Sequence, residues 1–170
     1  MISPPAKSYP RRGNHLPVLM TLVPRTTGPI LELGSGLYST PYLHWACFPD
    51  RPLVTYENTN FWFRRCAVQF HSGFHAVRHI PSWDSLTFEG PWSIALVDNE
   101  GPHSRGDCVR KLTHAEYVVA HDCEKGEKMG YREAAELFKY SYIYTHAGSI
   151  QTMVLSNVHD LTDLAREFDS

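Results

Sequence analysis

Short apolar segments alternate with longer amphipathic ones along most of this chain, and that alternation constrains the fold more than any other feature of the sequence. The segments with strand character are 30–33, 53–56, 76–80, 92–97 and 117–120, and those with helical periodicity are 15–23, 40–48, 60–70, 104–114 and 131–138. Strands and helices in alternation predict a parallel sheet with helices on both of its faces. The segment 92–97 is almost entirely apolar, as expected for a strand covered on both sides.

Both ends of the chain depart from this alternation. Segments 140–145 and 151–156 flank a glycine-containing turn and predict a C-terminal β-hairpin. The first residues are rich in proline and arginine, so we expect 1–13 to be a mobile basic N-terminal arm and 14–170 to be a single domain. The predicted fold class is therefore α/β, with a doubly wound, mostly parallel sheet of about seven strands that ends in an antiparallel hairpin.

Composition excludes several classes of protein. Apolar residues make up 42% of the 170 residues and charged residues 20%, which is typical of a soluble globular domain. No apolar run approaches the roughly 20 residues of a membrane span, and the first twenty residues lack the apolar stretch of a signal peptide. The four cysteines form no CxxC pair, so we expect free thiols and a cytoplasmic location. The net charge of −2 gives no general attraction to nucleic acid, although 1–29 carry four basic residues and no acidic one.

Carboxylates lie at the ends of five predicted strands: Glu32, Glu57, Asp84, Asp98 and Asp122. In an open α/β sheet, ligands bind beyond the carboxyl ends of the strands, near the point where the strand order reverses. Each acid on its own has an ordinary interpretation as a loop residue. Five of them on one rim, where they repel one another, are better explained by a binding site.

A glycine turn follows the first of these strands. Gly34 and Gly36 permit a tight turn and the close approach of a ligand to the backbone at the start of the next helix. Glu57 lies 23 residues after Gly34 at the end of the next strand, where a carboxylate can accept the hydroxyls of a ribose. The two features together indicate a ligand that contains a nucleoside.

The turn distinguishes between cofactor classes. The third glycine of a nicotinamide fingerprint is replaced by Ser39, and no GxxxxGK[ST] motif for ATP is present. A diphosphate beside Glu32 would be repelled. A cationic ligand suits Glu32 better, and S-adenosylmethionine carries both an ammonium and a sulfonium group.

Longer motifs resemble the class I S-adenosylmethionine-dependent methyltransferases, which have a Rossmann-like fold. Ile-Leu-Glu-Leu-Gly-Ser-Gly-Leu-Tyr-Ser-Thr over 30–40 resembles their first motif, in the subgroup whose glycine turn runs into Ser-Thr and a helix. The segments 54–62, 83–84, 95–98, 118–122 and 152–157 resemble the later motifs in the right order. The resemblance covers about 14–157. Two positions depart from it, because Tyr38 replaces a third glycine and Asn99 follows Asp98 where glycine or histidine is usual.

The resemblance implies roles for individual residues. Glu32 would hold the methionine amino group directly or through water, Glu57 with Asn58 would bind the ribose, and Trp83 with Asp84 would flank the adenine. The complete set of cofactor-binding residues that it implies is Glu32, Gly34, Ser35, Gly36, Tyr38, Ser39, Thr40, Glu57, Asn58, Trp83, Asp84 and Asp98. Core packing is an equally good interpretation of Trp83, and it is the better one for Trp62.

Candidates for chemistry on the acceptor come from the later strand ends. Methyl transfer requires an oriented acceptor and often the removal of its proton, which makes Asp98, His103 and His121 the catalytic candidates. Neighbouring strands would bring the carboxylates of Asp98 and Asp122 to within about 5 Å. Such a pair needs a shared proton, a cationic partner such as Arg105, or a metal. Two interpretations are slightly favoured over a salt bridge. One is a site for Mg²⁺ or another divalent cation at Asp98 and Asp122, and the other is a direct acid–base role.

The sequence thus predicts S-adenosylmethionine-dependent methyl transfer to an oxygen or nitrogen of a small molecule. The spacing of His71, His75 and His79 would align metal ligands on a helix, but the strand-like 76–80 argues against a zinc site there. A nucleic-acid or protein methyltransferase is an alternative, and so is a module that binds the cofactor without catalysis. No Asn/Asp-Pro-Pro-Tyr/Phe signature and no aromatic-interleaved basic patch supports nucleic acid as a partner. A homodimer is attractive because so short a chain has few elements with which to cover its own site.

Overall fold

The computed structural model describes residues 13–84, 86–101, 104–145 and 150–169. Seven strands form one sheet in the order β3-β2-β1-β4-β5-β7-β6. They are β1 (Ile30–Leu33), β2 (Leu53–Glu57), β3 (His75–His79), β4 (Ile94–Val97), β5 (Tyr117–His121), β6 (Tyr140–Thr145) and β7 (Gln151–Ser156). The first five are parallel, and β7 runs antiparallel to both of its neighbours.

Helices cover both faces of this sheet. They are α1 (Leu16–Leu22), α2 (Ser39–Cys47), α3 (Asn60–Phe70), α4 (Ser104–Lys111), α5 (Gly126–Met129), α6 (Tyr131–Ala135) and α7 (Thr162–Asp169). Alternate residues of each central strand enter two separate apolar clusters, because successive side chains of a strand point to opposite faces. One cluster is closed by α4 and α6, and the other by α1, α2 and α7. The predicted fold class is confirmed: a doubly wound, mostly parallel sheet with a C-terminal antiparallel hairpin.

The strand order reverses between β1 and β4, and their register sets the position of the site. Leu33 at the end of β1 pairs with Tyr56 of β2 on one side and with Val97 of β4 on the other. Val97 in turn pairs with Ala120 of β5, which confirms the prediction that these two strands are neighbours. The residues that follow these four strands therefore emerge side by side at one edge.

Element boundaries agree closely with the sequence predictions, and those that differ do so by one to three residues. The hairpin strands have the predicted ends, whereas β3 lies one residue earlier than predicted, β4 begins two residues later, and α4 and α6 end three residues earlier. His75 and His79 lie in β3 and not on a helix, as expected. Helices α5 and α7 are not among the predicted elements. A signal for α7 is present in the sequence, because the carboxylate of Asp160 accepts a hydrogen bond at 2.8 Å from the amide of Thr162, the first residue of that helix.

The N-terminal region has two parts. Most of the predicted basic arm, residues 1–12, lies outside the described residues. Asn14 and His15, which directly precede α1, lie against the end of β5. In the ranges that the structure covers, no helix is both long enough and apolar enough to cross a membrane.

Candidate functional site

A cavity of about 510 Å³ opens at the carboxyl edge of the sheet, at the point where the strand order reverses. It is lined by Gly34, Ser35, Glu57, Trp62, Asp98, Glu100, Arg105, His121, Asp122, Lys125 and Ile150. A smaller cavity of about 110 Å³ shares Trp62 and Asp98 with it and is also lined by His15, Gly36, Leu37, Tyr38 and Ser39. A larger groove of about 770 Å³ lies beside α5, α6 and the hairpin, away from the glycine turn.

The glycine turn is held against the loop that follows β4. Gly34 has a positive φ of 89°, which favours glycine, and a Cβ at this position would lie only 2.5 Å from the carbonyl oxygen of Asp98. Gly36 differs, because the nearest atom to a Cβ there is the Ser39 hydroxyl at 3.9 Å. Packing within the protein therefore requires glycine at 34 and not at 36. Gly36 faces a cavity although packing does not require glycine there. The lack of a side chain at this position would let a ligand approach the backbone.

Glu32 supports the turn from inside the domain. Its carboxylate is fully buried and accepts hydrogen bonds from Thr40 at 3.0 Å and from Thr55 at 2.7 Å. The Thr40 hydroxyl in turn accepts the amide proton of Gly36 at 2.9 Å. Glu32 does not line either cavity at this edge. Glu32 acts on the turn through Thr40, and its contact with a ligand, directly or through water, stays a prediction.

Two histidines continue this network toward α2 and β3. Thr55 donates its single proton to Glu32, so its oxygen accepts from Nε2 of His75 at 2.8 Å, and Nδ1 of His75 then accepts from His44 at 3.1 Å. In this series, His44 donates to His75, His75 donates to Thr55 and Thr55 donates to Glu32. Burial raises the pKa of Glu32 to about 7, although hydroxyl donors oppose the shift. Burial also lowers the pKa of His75 to about 4, helped by the neighbouring histidines.

Glu57 joins the end of β2 to the glycine turn. Its Oε2 accepts from the amide and hydroxyl of Ser35 at 2.8 and 3.0 Å, and its Oε1 accepts from the Thr59 amide at 2.6 Å. The carboxylate lines the main cavity. Because a carboxylate oxygen has two lone pairs, Oε1 retains acceptor capacity for a hydroxyl of a ligand.

Arg105 lies between the carboxylates of Asp98 and Asp122, at the position where the sequence slightly favours a divalent cation. Its guanidinium contacts Asp98 at 3.0 Å and Asp122 at 3.3 Å, and its side chain is 10% exposed. The repulsion between the two acids is therefore relieved by a salt bridge, which is the alternative that the sequence favoured least. Burial would raise the pKa of Asp98, but the hydrogen bond and charge of His121 and the charge of Arg105 lower it instead.

His121 connects Asp98 to the segment before α1. Its Nδ1 lies 3.0 Å from Oδ1 of Asp98, and its Nε2 lies 2.6 Å from Oδ1 of Asn14. The amide nitrogen of Asn14 donates to the Ile150 carbonyl, so its oxygen is the atom that faces His121. Nε2 of His121 is therefore the nitrogen that donates to Asn14, and Nδ1 is the nitrogen that faces Asp98. This assignment follows from the hydrogen-bond pattern.

His15 completes the cluster, and the sequence analysis gave it no role. Its ring packs edge-on against the ring of His121 at 4.6 Å between centroids, and the residue is 1% exposed. Neither ring nitrogen has a hydrogen-bond partner within the described ranges. Burial lowers the pKa of His15 to about 4, with the charge of His121 as the next cause. A buried imidazole without partners is the signal that only the tertiary structure reveals.

Other predicted site residues have mixed positions. Tyr38 and Ser39 line the smaller cavity, whereas Asn58 is partly buried at the end of β2 and lines neither cavity. Trp83 is 4% exposed and belongs to a core cluster, and the exposed Asp84 accepts from the Ser82 hydroxyl. His103 lies outside the described residues.

The interpretation of Trp62 as a core residue is wrong, because Trp62 lines both cavities. The residue belongs to α3, whose described residues include only one that is fully buried, Cys66. A helix so lightly buried leaves its first turn free to form a wall of the site. Trp62 is thus the aromatic side chain at this edge that sequence reasoning placed elsewhere.

The charge around the main cavity constrains what it can hold. Glu57, Asp98, Glu100 and Asp122 outnumber Arg105 and Lys125 among its lining residues. Such a lining attracts a cationic ligand and repels a diphosphate or a nucleic-acid backbone.

The same fold occurs in solved structures of methyltransferases. A protein from Klebsiella pneumoniae assigned as an O-methyltransferase has a TM-score of 0.63 and 19% identity over 91% of this chain and 84% of its own. TomG from Streptomyces achromogenes, an O-methyltransferase of tomaymycin synthesis solved with SAM, has a TM-score of 0.61 and 20% identity over 89% and 81%. An O-methyltransferase from Bacillus cereus solved with SAH has a TM-score of 0.61 and 15% identity over 90% and 84%.

These similarities define the fold as the Rossmann-like fold of class I S-adenosylmethionine-dependent methyltransferases. At such identities they define the fold alone, so the reaction must be argued from the site. No protein-family model matches the sequence, and no curated protein matches it either.

Proposed function

We propose that this protein transfers a methyl group from S-adenosylmethionine to an oxygen or nitrogen of a small molecule. The observation that carries the proposal is the contrast within the glycine turn. Gly34 is glycine because of packing, whereas Gly36 faces the smaller cavity with space where a side chain would fit, and Glu57 lines the neighbouring main cavity. That arrangement, in the fold of methyltransferases and at the reversal of strand order, supports a nucleoside ligand lying across the turn.

The chain's own residues fit this cofactor in distinct ways. Oε1 of Glu57 would accept a ribose hydroxyl, and Trp62 supplies an aromatic wall to both cavities. The acidic majority of the lining favours the positively charged sulfonium. When bound, the cofactor supplies an electrophilic methyl group on that sulfonium. Glu32 and Thr40 hold the turn in place.

Asp98 is the carboxylate that lines both cavities, and we propose that it acts on the methyl acceptor. Its lowered pKa makes it a poor general base for a hydroxyl, because proton transfer is most efficient when the pKa of the base is close to the working pH. Asp98 therefore orients the acceptor and stabilises positive charge near the reacting atoms. His121 and Arg105 act as positioning residues that fix its carboxylate.

The alternatives make different demands on the site. A nucleic-acid substrate would bring phosphates to an edge where acids outnumber bases, which the lining disfavours. The four cysteines are free, in keeping with the cytoplasmic location that we propose. The homodimer remains a prediction.

Titration calorimetry with S-adenosylhomocysteine is the first test of this function, and we expect one site per chain. Incubation with methyl-labelled S-adenosylmethionine should then transfer label to components of a small-molecule extract. Transfer to RNA, DNA or protein would replace the small-molecule acceptor with a macromolecule. Binding without any transfer would favour a non-catalytic module, and absence of binding would refute the proposal as a whole.

A further inference from the structure

Three distant parts of the chain bring potential metal ligands together at the carboxyl edge. His15 precedes α1, Asp98 follows β4 and His121 ends β5. One ligand atom from each of these residues lies within 4.8 Å of the other two. Two imidazoles and one carboxylate at such distances need only small side-chain rotations to share one ion.

The state of His15 points to a ligand. It is buried to 1% exposure, yet both of its nitrogens lack a hydrogen-bond partner in the described part of the chain. Burying an imidazole without a partner is costly, and each such group in a folded protein needs an explanation. His15 lines the smaller cavity together with Asp98, so its ring lies where a bound ion would satisfy it.

The surroundings of His121 are those of a metal ligand. Metal-binding histidines usually donate their second ring proton to an oxygen, which fixes the tautomer and the ring orientation. Nε2 of His121 donates to Asn14 at 2.6 Å, and Asn14 is itself held by the Ile150 carbonyl. Nδ1 is therefore the nitrogen directed at Asp98. A divalent cation can bind between these two atoms after a small side-chain rotation.

We propose that His15, Asp98 and His121 form a binding site for a divalent transition-metal ion such as Zn²⁺. Imidazole nitrogens suit Zn²⁺, Fe²⁺, Co²⁺ or Ni²⁺, whereas Mg²⁺ prefers oxygen ligands. Three protein ligands leave at least one coordination position open, as in catalytic zinc sites. Both cavities reach this cluster, so the open position faces the space available to a substrate.

Binding of the metal ion does not depend on the reaction, whereas a role for the ion in catalysis rests on the proposed function. An acceptor hydroxyl on the open position would have its pKa lowered by the ion. The hydroxyl could then lose its proton to water, so that no strong general base is needed and the weak basicity of Asp98 is no obstacle. Asp122 stays outside this ligand set, because the ligand atoms that lie together are those of His15, Asp98 and His121, and Asp122 also pairs with Lys125.

The test is titration of the metal-free full-length protein with Co²⁺, followed by its visible absorption, and with Zn²⁺ by calorimetry. We expect one ion per chain. His15→Ala should weaken binding by more than the roughly 10- to 100-fold that loss of an outer-shell partner costs, and Asn14→Ala should fall within that range. His159→Ala is the matched control, since His159 pairs with Glu116 near the start of β5. Its affinity should equal that of the unmodified protein.

Unchanged Co²⁺ affinity in a folded His15→Ala protein would overturn the site, and so would the absence of stoichiometric binding by the unmodified protein. X-ray absorption of the zinc-loaded unmodified protein makes the test independent of any variant. It should show two imidazole ligands, and a spectrum without them would overturn the proposal. Metal binding without S-adenosylhomocysteine binding would keep this site and refute the proposed function, and the converse would refute the site alone.

Discussion

The hydroxyl of Thr40 lies 3.0 Å from both carboxylate oxygens of Glu32 and accepts the amide proton of Gly36. One side chain at the start of α2 thus connects a fully buried acid in β1 to the turn that faces the cavities. Because a hydroxyl has a single proton, donation to Glu32 leaves its oxygen free to accept from Gly36. The buried acid is therefore linked to the backbone of the turn through Thr40.

Replacing Thr40 tests this connection. Thr40→Val removes the hydroxyl with little change in shape, leaving Glu32 short of a donor and the Gly36 amide without its acceptor. We expect a loss of about 1–3 kcal/mol in the free energy of unfolding and weaker S-adenosylhomocysteine binding. Thr55→Val is the matched control, since Thr55 also donates to Glu32 but does not contact the turn. It should lower stability in urea titrations and leave affinity unchanged. Equal affinities in the two variants would contradict the connection.

Alanine should lower the stability of the protein at one glycine of the turn and the affinity for the ligand at the other. Gly34→Ala combines a positive φ with a Cβ 2.5 Å from a backbone oxygen, so we expect unfolding to become easier by at least about 2 kcal/mol. Gly36→Ala has room for its methyl group and should change stability by no more than about 0.5 kcal/mol. The same methyl group should weaken S-adenosylhomocysteine binding by roughly 1–3 kcal/mol. Thermal unfolding and calorimetry separate the two effects, and full affinity in Gly36→Ala would place the ligand elsewhere.

Glu57→Gln tests the ribose contact. The substitution removes the negative charge and places a donor where the carboxylate accepts from Thr59 or Ser35. We expect S-adenosylhomocysteine affinity to fall by about 1.5–3 kcal/mol, or roughly 10- to 150-fold, as for charge-assisted hydrogen bonds. Glu116→Gln, at the far end of β5, serves as the control and should bind normally. Unchanged affinity in Glu57→Gln would remove this residue from the site.

Glu32 should give the stability of the protein a distinctive pH dependence. Burial raises its pKa from 4.5 to about 7, so the folded state holds the proton more tightly than the unfolded state. Its stabilising contribution is therefore fully present below pH 4.5 and is lost as the pH rises through 7, by roughly 3 kcal/mol in total. Glu32→Gln cannot titrate and should gain stability relative to the unmodified protein by close to this amount between pH 5 and 8.5.

Urea unfolding of both proteins across this range measures the difference directly. His15 and His75, whose pKa values are lowered to about 4, lose protons over part of the same range with the opposite effect on stability. They are present in both proteins, so their contributions cancel in the comparison. Parallel stability curves would show that the Glu32 carboxyl does not titrate as burial implies.

Much of the fold followed from local patterns in the sequence. Buried parallel strands such as 94–97 are apolar throughout, and turns at Gly34 and Pro49 interrupt the periodicity, so the alternation of elements could be predicted with few errors. Helix α7 was missed although Asp160 accepts a hydrogen bond from the amide of its first residue, Thr162. The edge of the sheet that carries the site was also predictable, because it follows from the general rule for parallel sheets.

The sequence by itself determined which residues end the strands, and hence that Glu57, Asp98 and His121 lie at one edge. Only the tertiary structure decided what those residues contact. Arg105 separates Asp98 from Asp122, Glu32 turns inward, and His15 arrives from the other end of the chain. Strand ends are local features that periodicity reveals, whereas side-chain partners depend on how the elements pack, for which the sequence carries no local signal. The contact between His121 and Asn14 joins positions more than a hundred residues apart.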